Sequence, residues 1–103
     1  MERTVKEIIK QRRAQMLVHS CLYYKFDTPI ISDDKWQEWA NELRDLQQSS
    51  PDDCKIDFYD KHFIDWNGDT GFHLPINDSK IVSKAIHLKQ LFDKRKETER
   101  DGI

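Results

Sequence analysis

This sequence predicts a mainly α-helical single domain, on three observations. Apolar residues recur at helical spacing in three stretches, over 4–24, from Ser32 to about Gln48, and from Ser79 to Phe92. The breaks between them carry the punctuating residues Pro29, Pro51, Gly68 and Gly71. At 103 residues the chain is near the size where one core suffices without disulfides or metal.

In the first helix Val5, Ile8, Ile9, Met16, Leu17 and Cys21 fall near helical repeats, with no Gly or Pro among them. Arg12 and Arg13 lie mid-helix and read as a solvated face whose aliphatic stems rest on neighbours. Tyr23 and Tyr24 form the last turn. Asp27-Thr28-Pro29 is an elbow, because proline fixes its own φ and drives the preceding residue out of the helical region. Ser32-Asp33-Asp34 opens the second helix, the serine as cap and the acids at the positive end of the macrodipole. Trp36, Trp39, Ala40 and Leu43 give that helix one apolar face, and Ser49-Ser50-Pro51 stops it.

Residues 55–75 have another texture, with aromatic and β-branched residues loosely alternating with Asp, Lys and His. Asn67-Gly68 is the strongest short hairpin signal, since a type I′ turn needs positive φ at both central residues. A short β-hairpin over 62–66 and 70–74, or a compact structured loop, is therefore expected between the helices. Phe58, Phe63, Trp66 and Phe72 are its expected anchors, because an isolated hairpin is marginal and must pack on something. Asn77-Asp78-Ser79 caps the C-terminal helix, whose stripe is Ile81, Val82, Ala85, Ile86, Leu88, Leu91 and Phe92. The domain is expected over 1–92, with 93–103 a charged tail or frayed helix.

Composition excludes several classes. Lys plus Arg total 17 against 19 for Asp plus Glu, a net charge of −2, which argues against a dedicated nucleic-acid binder. A basic route through Arg12, Arg13, Lys94, Arg95 and Lys96 is the weakest reading, and it predicts affinity that falls steeply with salt. Cys21 and Cys54 are too few for a disulfide framework, so a cytoplasmic location is expected. No apolar run nears the roughly 18 residues of a membrane span. His19, His62, His73 and His87 show no metal-ligand spacing, and no metal is expected. Asp65-Trp66-Asn67-Gly68-Asp69 starts like a calcium loop, but Thr70 and Ile76 stand where the turn glycine and bidentate glutamate belong. Asp57, Asp60, His62 and Asp65 read as the exposed side of a packed loop. No serine nucleophile elbow and no glycine-rich phosphate loop occurs.

Chemistry is concentrated at the elbow. Tyr23, Tyr24 and Trp36 offer faces that stack on a ring, and Asp33 offers a carboxylate for an amide or ribose hydroxyl. The same residues carry a resemblance. Tyr23, Tyr24, Asp27, Pro29, Ile31, Ser32, Asp33, Glu42 and Leu43 fall without gaps on a pattern that resembles the small N-terminal helical domain of bacterial NAD-dependent DNA ligases. The resemblance covers roughly residues 14–53. It implies a pocket for nicotinamide mononucleotide, the nicotinamide half of NAD, at Tyr23, Tyr24, Asp33, Trp36 and Gln37. Trp36 stands for the family's tyrosine and Gln37 for the acid after it, so a phenolic hydroxyl and a negative charge are lost. No Lys-x-Asp-Gly motif supplies the lysine nucleophile that a covalent adenylate needs, so the chain is not read as a ligase.

The expected function is a non-enzymatic binding or regulatory module, a free-standing relative of that domain of a kind that suits a bacteriophage. Its expected partner is a protein, met through the acidic elbow and an aromatic patch at Trp66 and Phe72. No cofactor is required for that role. The alternative is a protein or accessory enzyme that binds nicotinamide mononucleotide or NAD at the elbow. In the bland reading of the same residues, the motif persists because it folds well.

Overall fold

A computed structural model describes residues 4–71 and 73–101, with side chains up to residue 94. It is mainly helical. Helix α1 spans Val5–Ser20, and the Thr4 hydroxyl caps it by accepting from the Glu7 amide at 3.2 Å. It runs without a break into one π-helical turn, Cys21–Lys25. Ile9, Met16, Leu17, Cys21 and Leu22 on this continuous rod are fully buried, each worth roughly 1.5–3 kcal/mol of transfer free energy for the larger side chains. The chain reverses at Asp27, which takes a left-handed φ of 51°, while the Thr28 amide donates to the Leu22 carbonyl at 2.9 Å. Aspartate tolerates that conformation better than most residues.

Helix α2 spans Asp33–Ser49 and is capped by Ser32, whose hydroxyl accepts from the Lys35 amide at 3.1 Å. Ala40 and Leu43 are its buried residues, and Trp36, Trp39 and Leu46 pack on them half-buried. A 3₁₀ turn, Pro51–Cys54, and the short helix α3, Asp60–Phe63, follow. Helix α4 spans Ser79–Asp101, so the stretch from 93 to 101, expected as a charged tail or frayed helix, is helical. Asp78 starts it, its carboxylate accepting from the Lys80 and Ile81 amides at 2.9 and 3.3 Å. Ile81 and Ala85 are the buried residues of its apolar stripe, and α4 packs against α1.

Of the hairpin and the compact structured loop expected between the helices, the described residues show the loop, and no strand occurs among them. A type I′ turn needs two positive φ values, but of Asn67 and Gly68 only Gly68 has one, at 81°. The Asn67 side chain instead accepts from the Asp69 amide at 3.0 Å, a local bond that competes with hairpin pairing. Arg13 corrects an expectation. It is buried, not solvated, at 1% exposure. Its Nε donates to Gln47 Oε1 at 2.9 Å, and its terminal nitrogens donate to the Phe58 carbonyl, Asp60 Oδ1 and the Cys54 carbonyl at 2.9, 2.6 and 3.0 Å. Arg12 behaves more as expected, paired with Glu42 at 3.1 Å near the surface.

Candidate functional site

The end of the first helix, the elbow, the first turn of α2 and the loop 67–71 enclose a cleft of about 180 Å³. Tyr23, Tyr24, Asp33, Trp36 and Gln37 all line it, together with His19, Ile31 and Asp69. The π turn brings the tyrosines there. Their rings meet edge to face, with centroids 4.9 Å apart, and remain 46% and 36% exposed. Because the Ser32 hydroxyl caps α2, the Asp33 carboxylate is not used as the cap and stays at the exposed mouth. Trp36 is steered by its indole nitrogen, which donates to the Ser20 hydroxyl at 3.4 Å, and by Trp66, whose ring centroid lies 6.2 Å away.

Gln37 differs from the rest. Its amide nitrogen donates to the Gly68 carbonyl at 2.8 Å and to Asn41 Oδ1 at 2.9 Å, so it ties α2 to the loop. Tyr24 Oη and Thr70 Oγ1 share a hydrogen bond of 3.0 Å and make a second tie. His19 lies below the cleft, 9% exposed, its ring 5.4 Å from that of Trp39, and its Nδ1 has no hydrogen-bond partner. Burial lowers its pKa from 6.5 to about 4, so the imidazole is neutral at physiological pH.

The chain carries a DNA ligase-like segment. A DNA ligase of Bacteroides fragilis is 43% identical over 49 residues, which are 48% of this chain but 7% of that protein. This chain therefore corresponds to a small fraction of the ligase's length. No family model matches the chain, and no solved structure matches it.

The patch expected at Trp66 and Phe72 is corrected in part. Trp66 is 5% exposed and its indole nitrogen donates to the Ala40 carbonyl at 3.0 Å, so it closes the core under α2. Phe72 lies outside the described residues. The polar group around Asp60 is structural, since its carboxylate accepts from the Ile56, Asp57 and Phe58 amides and from Arg13. No helix among the described residues is long and apolar enough to cross a membrane. Sequence reasoning missed His19 and Asp69 as cleft residues. His19 was within reach, because it precedes Tyr23 by one helical turn and shares its face. Nothing local announces Asp69, which the loop delivers from far along the chain.

Proposed function

We propose that this chain is a binding module, related to the N-terminal helical domain of DNA ligases, whose elbow cleft takes a planar amide-bearing ring of the nicotinamide type. The observation that supports it is the convergence of Tyr23, Tyr24, Asp33 and Trp36 on one cleft, since these are the positions the family resemblance assigns to nicotinamide mononucleotide. Stacking on the aromatic faces and a carboxylate within reach of a carboxamide supply the needed contacts. Size narrows the ligand. A cleft of about 180 Å³ is smaller than the roughly 300–1,000 Å³ of drug-sized pockets, so a single ring fits and a whole dinucleotide does not. A ligand held by one ring is expected to bind weakly, with Kd on the order of 0.1–10 mM.

The test is an NMR titration with nicotinamide and nicotinamide mononucleotide, read at the Trp36 indole N–H. Saturable shifts that Asp33→Ala weakens at least about fivefold are the expected result. Unmoved spectra at about 20 mM ligand, about twice the upper end of that range and enough to fill most sites, overturn the reading. A protein partner is the second reading. What favours it is the exposed Tyr23–Tyr24 pair at the mouth, since aromatic residues concentrate at binding hot spots.

A further inference from the structure

We infer that the outer face of α4 is a docking surface for a second copy of this chain, which it meets through the acidic face of that copy's α2. The inference is independent of what the elbow cleft binds.

Periodicity defines the first surface. Ile81 and Ala85 face the core where α4 packs on α1, and Ala85 is the last buried residue of α4 among the described side chains. Lys80, Lys84, His87, Leu91 and Lys94 recur at alternating steps of four and three residues, and all are exposed. That spacing sets them in one straight stripe along a side of the helix turned away from α1. At about 1.5 Å per residue the stripe runs roughly 21 Å. It carries no acid. Asp93, the one carboxylate between 79 and 94, lies on another face and pairs with Lys89 at 3.0 Å. Leu91 stands within the stripe at 51% exposure.

The second surface has the same step and the opposite charge. On α2, Asp34, Glu38, Asn41, Asp45 and Gln48 also recur at steps of four and three. Beside them runs a shallow furrow lined by Glu38, Glu42, Asp45 and the half-buried Leu46. Residues 33–49 carry five acids against two cations, and residues 79–94 carry four lysines against one acid. Laid parallel with Lys80 beside Asp34, the two helices place Lys84 beside Glu38 and Leu91 beside Asp45 and Leu46. Lysines then meet carboxylates, and the leucine of the stripe falls on the leucine of the furrow. The faces do not satisfy each other within one chain, because both are exposed while α1 packs against each helix from its other side. Glu38 and Asp45 have local partners, Lys35 at 3.6 Å and Arg44 at 3.0 Å, but such exposed pairs are weak enough to exchange. Stripe and furrow are different patches, so the contact is heterologous. One helix lying on another makes a small interface, and its complementary charges give it a strong dependence on salt.

The experiment is sedimentation of the whole chain over a range of concentrations. In about 20 mM salt the mass is expected to rise with concentration, with Kd on the order of 0.1 mM, and to fall back to monomer in about 0.5 M salt. Lys80→Glu with Lys84→Glu reverses the stripe, and Glu38→Lys with Asp45→Lys reverses the furrow. Each double variant alone is expected to lose at least about tenfold in affinity. An equimolar mixture of the two is expected to regain it, since each then offers the surface that matches the other. Leu91→Gln, which leaves the charges in place, should weaken association about threefold and keep its salt dependence. A chain that stays monomeric at about 1 mM in low salt overturns the inference. So does association that charge reversal leaves unchanged, or a mixture of helical variants that stays monomeric.

Discussion

His19 shows how one side chain couples the cleft to the stability of the fold. It packs at 5.4 Å from the Trp39 ring with its Nδ1 unpartnered, an arrangement that only the neutral imidazole tolerates. Burial therefore holds its pKa near 4, against 6.5 when free. Between those values the unfolded chain binds a proton that the folded chain refuses, so acid favours unfolding. Stability should be level above about pH 6.5, fall as pH drops toward 4, and lose up to about 3 kcal/mol from this group. Urea unfolding at pH 7 and pH 4.5 checks it, and His19→Gln should flatten the difference. Asp60 works in the same direction at lower pH. Burial pushes its carboxyl up, but Arg13 and the Phe58 and Asp57 amides outweigh that and hold it below the ordinary value. The stability it contributes is present above the ordinary carboxylate range and is lost as pH falls through its depressed value.

Among the elements, the loop 67–71 departs furthest from its local sequence signal. Asn67-Gly68 between aromatic residues reads as a hairpin turn, yet the loop bonds to α2 and the tyrosine turn through Gln37 and Tyr24. Gly71 is the position where this docking is tightest, because any side chain there meets Ser20 and Trp36. Gly71→Ala is expected to cost about 1–3 kcal/mol by overpacking and to shift Trp36 fluorescence as the loop lifts. A thermal melt with an emission spectrum measures both. The helices were more legible. The caps read at Ser32 and Asp78 each accept a first-turn amide, and the apolar residues repeat at helical spacing. The π turn was not legible, since its extra residue per turn leaves no mark in so short a stretch.

Across the whole molecule the organising contact is Arg13. From the middle of α1 it reaches α2 at Gln47, the 50s turn at the Cys54 and Phe58 carbonyls, and α3 at Asp60. Removing it leaves those acceptors buried or half-buried without their donor. Arg13→Met is expected to cost about 3–5 kcal/mol in chemical denaturation. Arg13→Lys should recover little, because an ammonium cannot reproduce the planar fork that serves four acceptors at once. Arg12→Ala, which breaks a partly exposed pair with Glu42, should cost under about 1 kcal/mol. A chain in which the two substitutions cost the same would refute the clamp assigned to Arg13.

The two adjacent arginines mark the limit of what the chain's local pattern carries. Sequence alone determined the helical class, the elbow at Asp27-Thr28-Pro29 and the aromatic and acidic residues beside it, because caps, helical period and proline geometry act over a few residues. It also pointed to the ligase-like segment, whose residues keep their spacing. Only the tertiary structure decided that Arg13 lies inside and Arg12 near the surface, that Trp66 closes the core, and that Asp69 joins Asp33 at one cleft. Those outcomes depend on which long-range acceptors and surfaces meet when the 50–75 segment folds back over α1 and α2. No local spacing encodes such meetings, since their energy exists only once the separated parts are together.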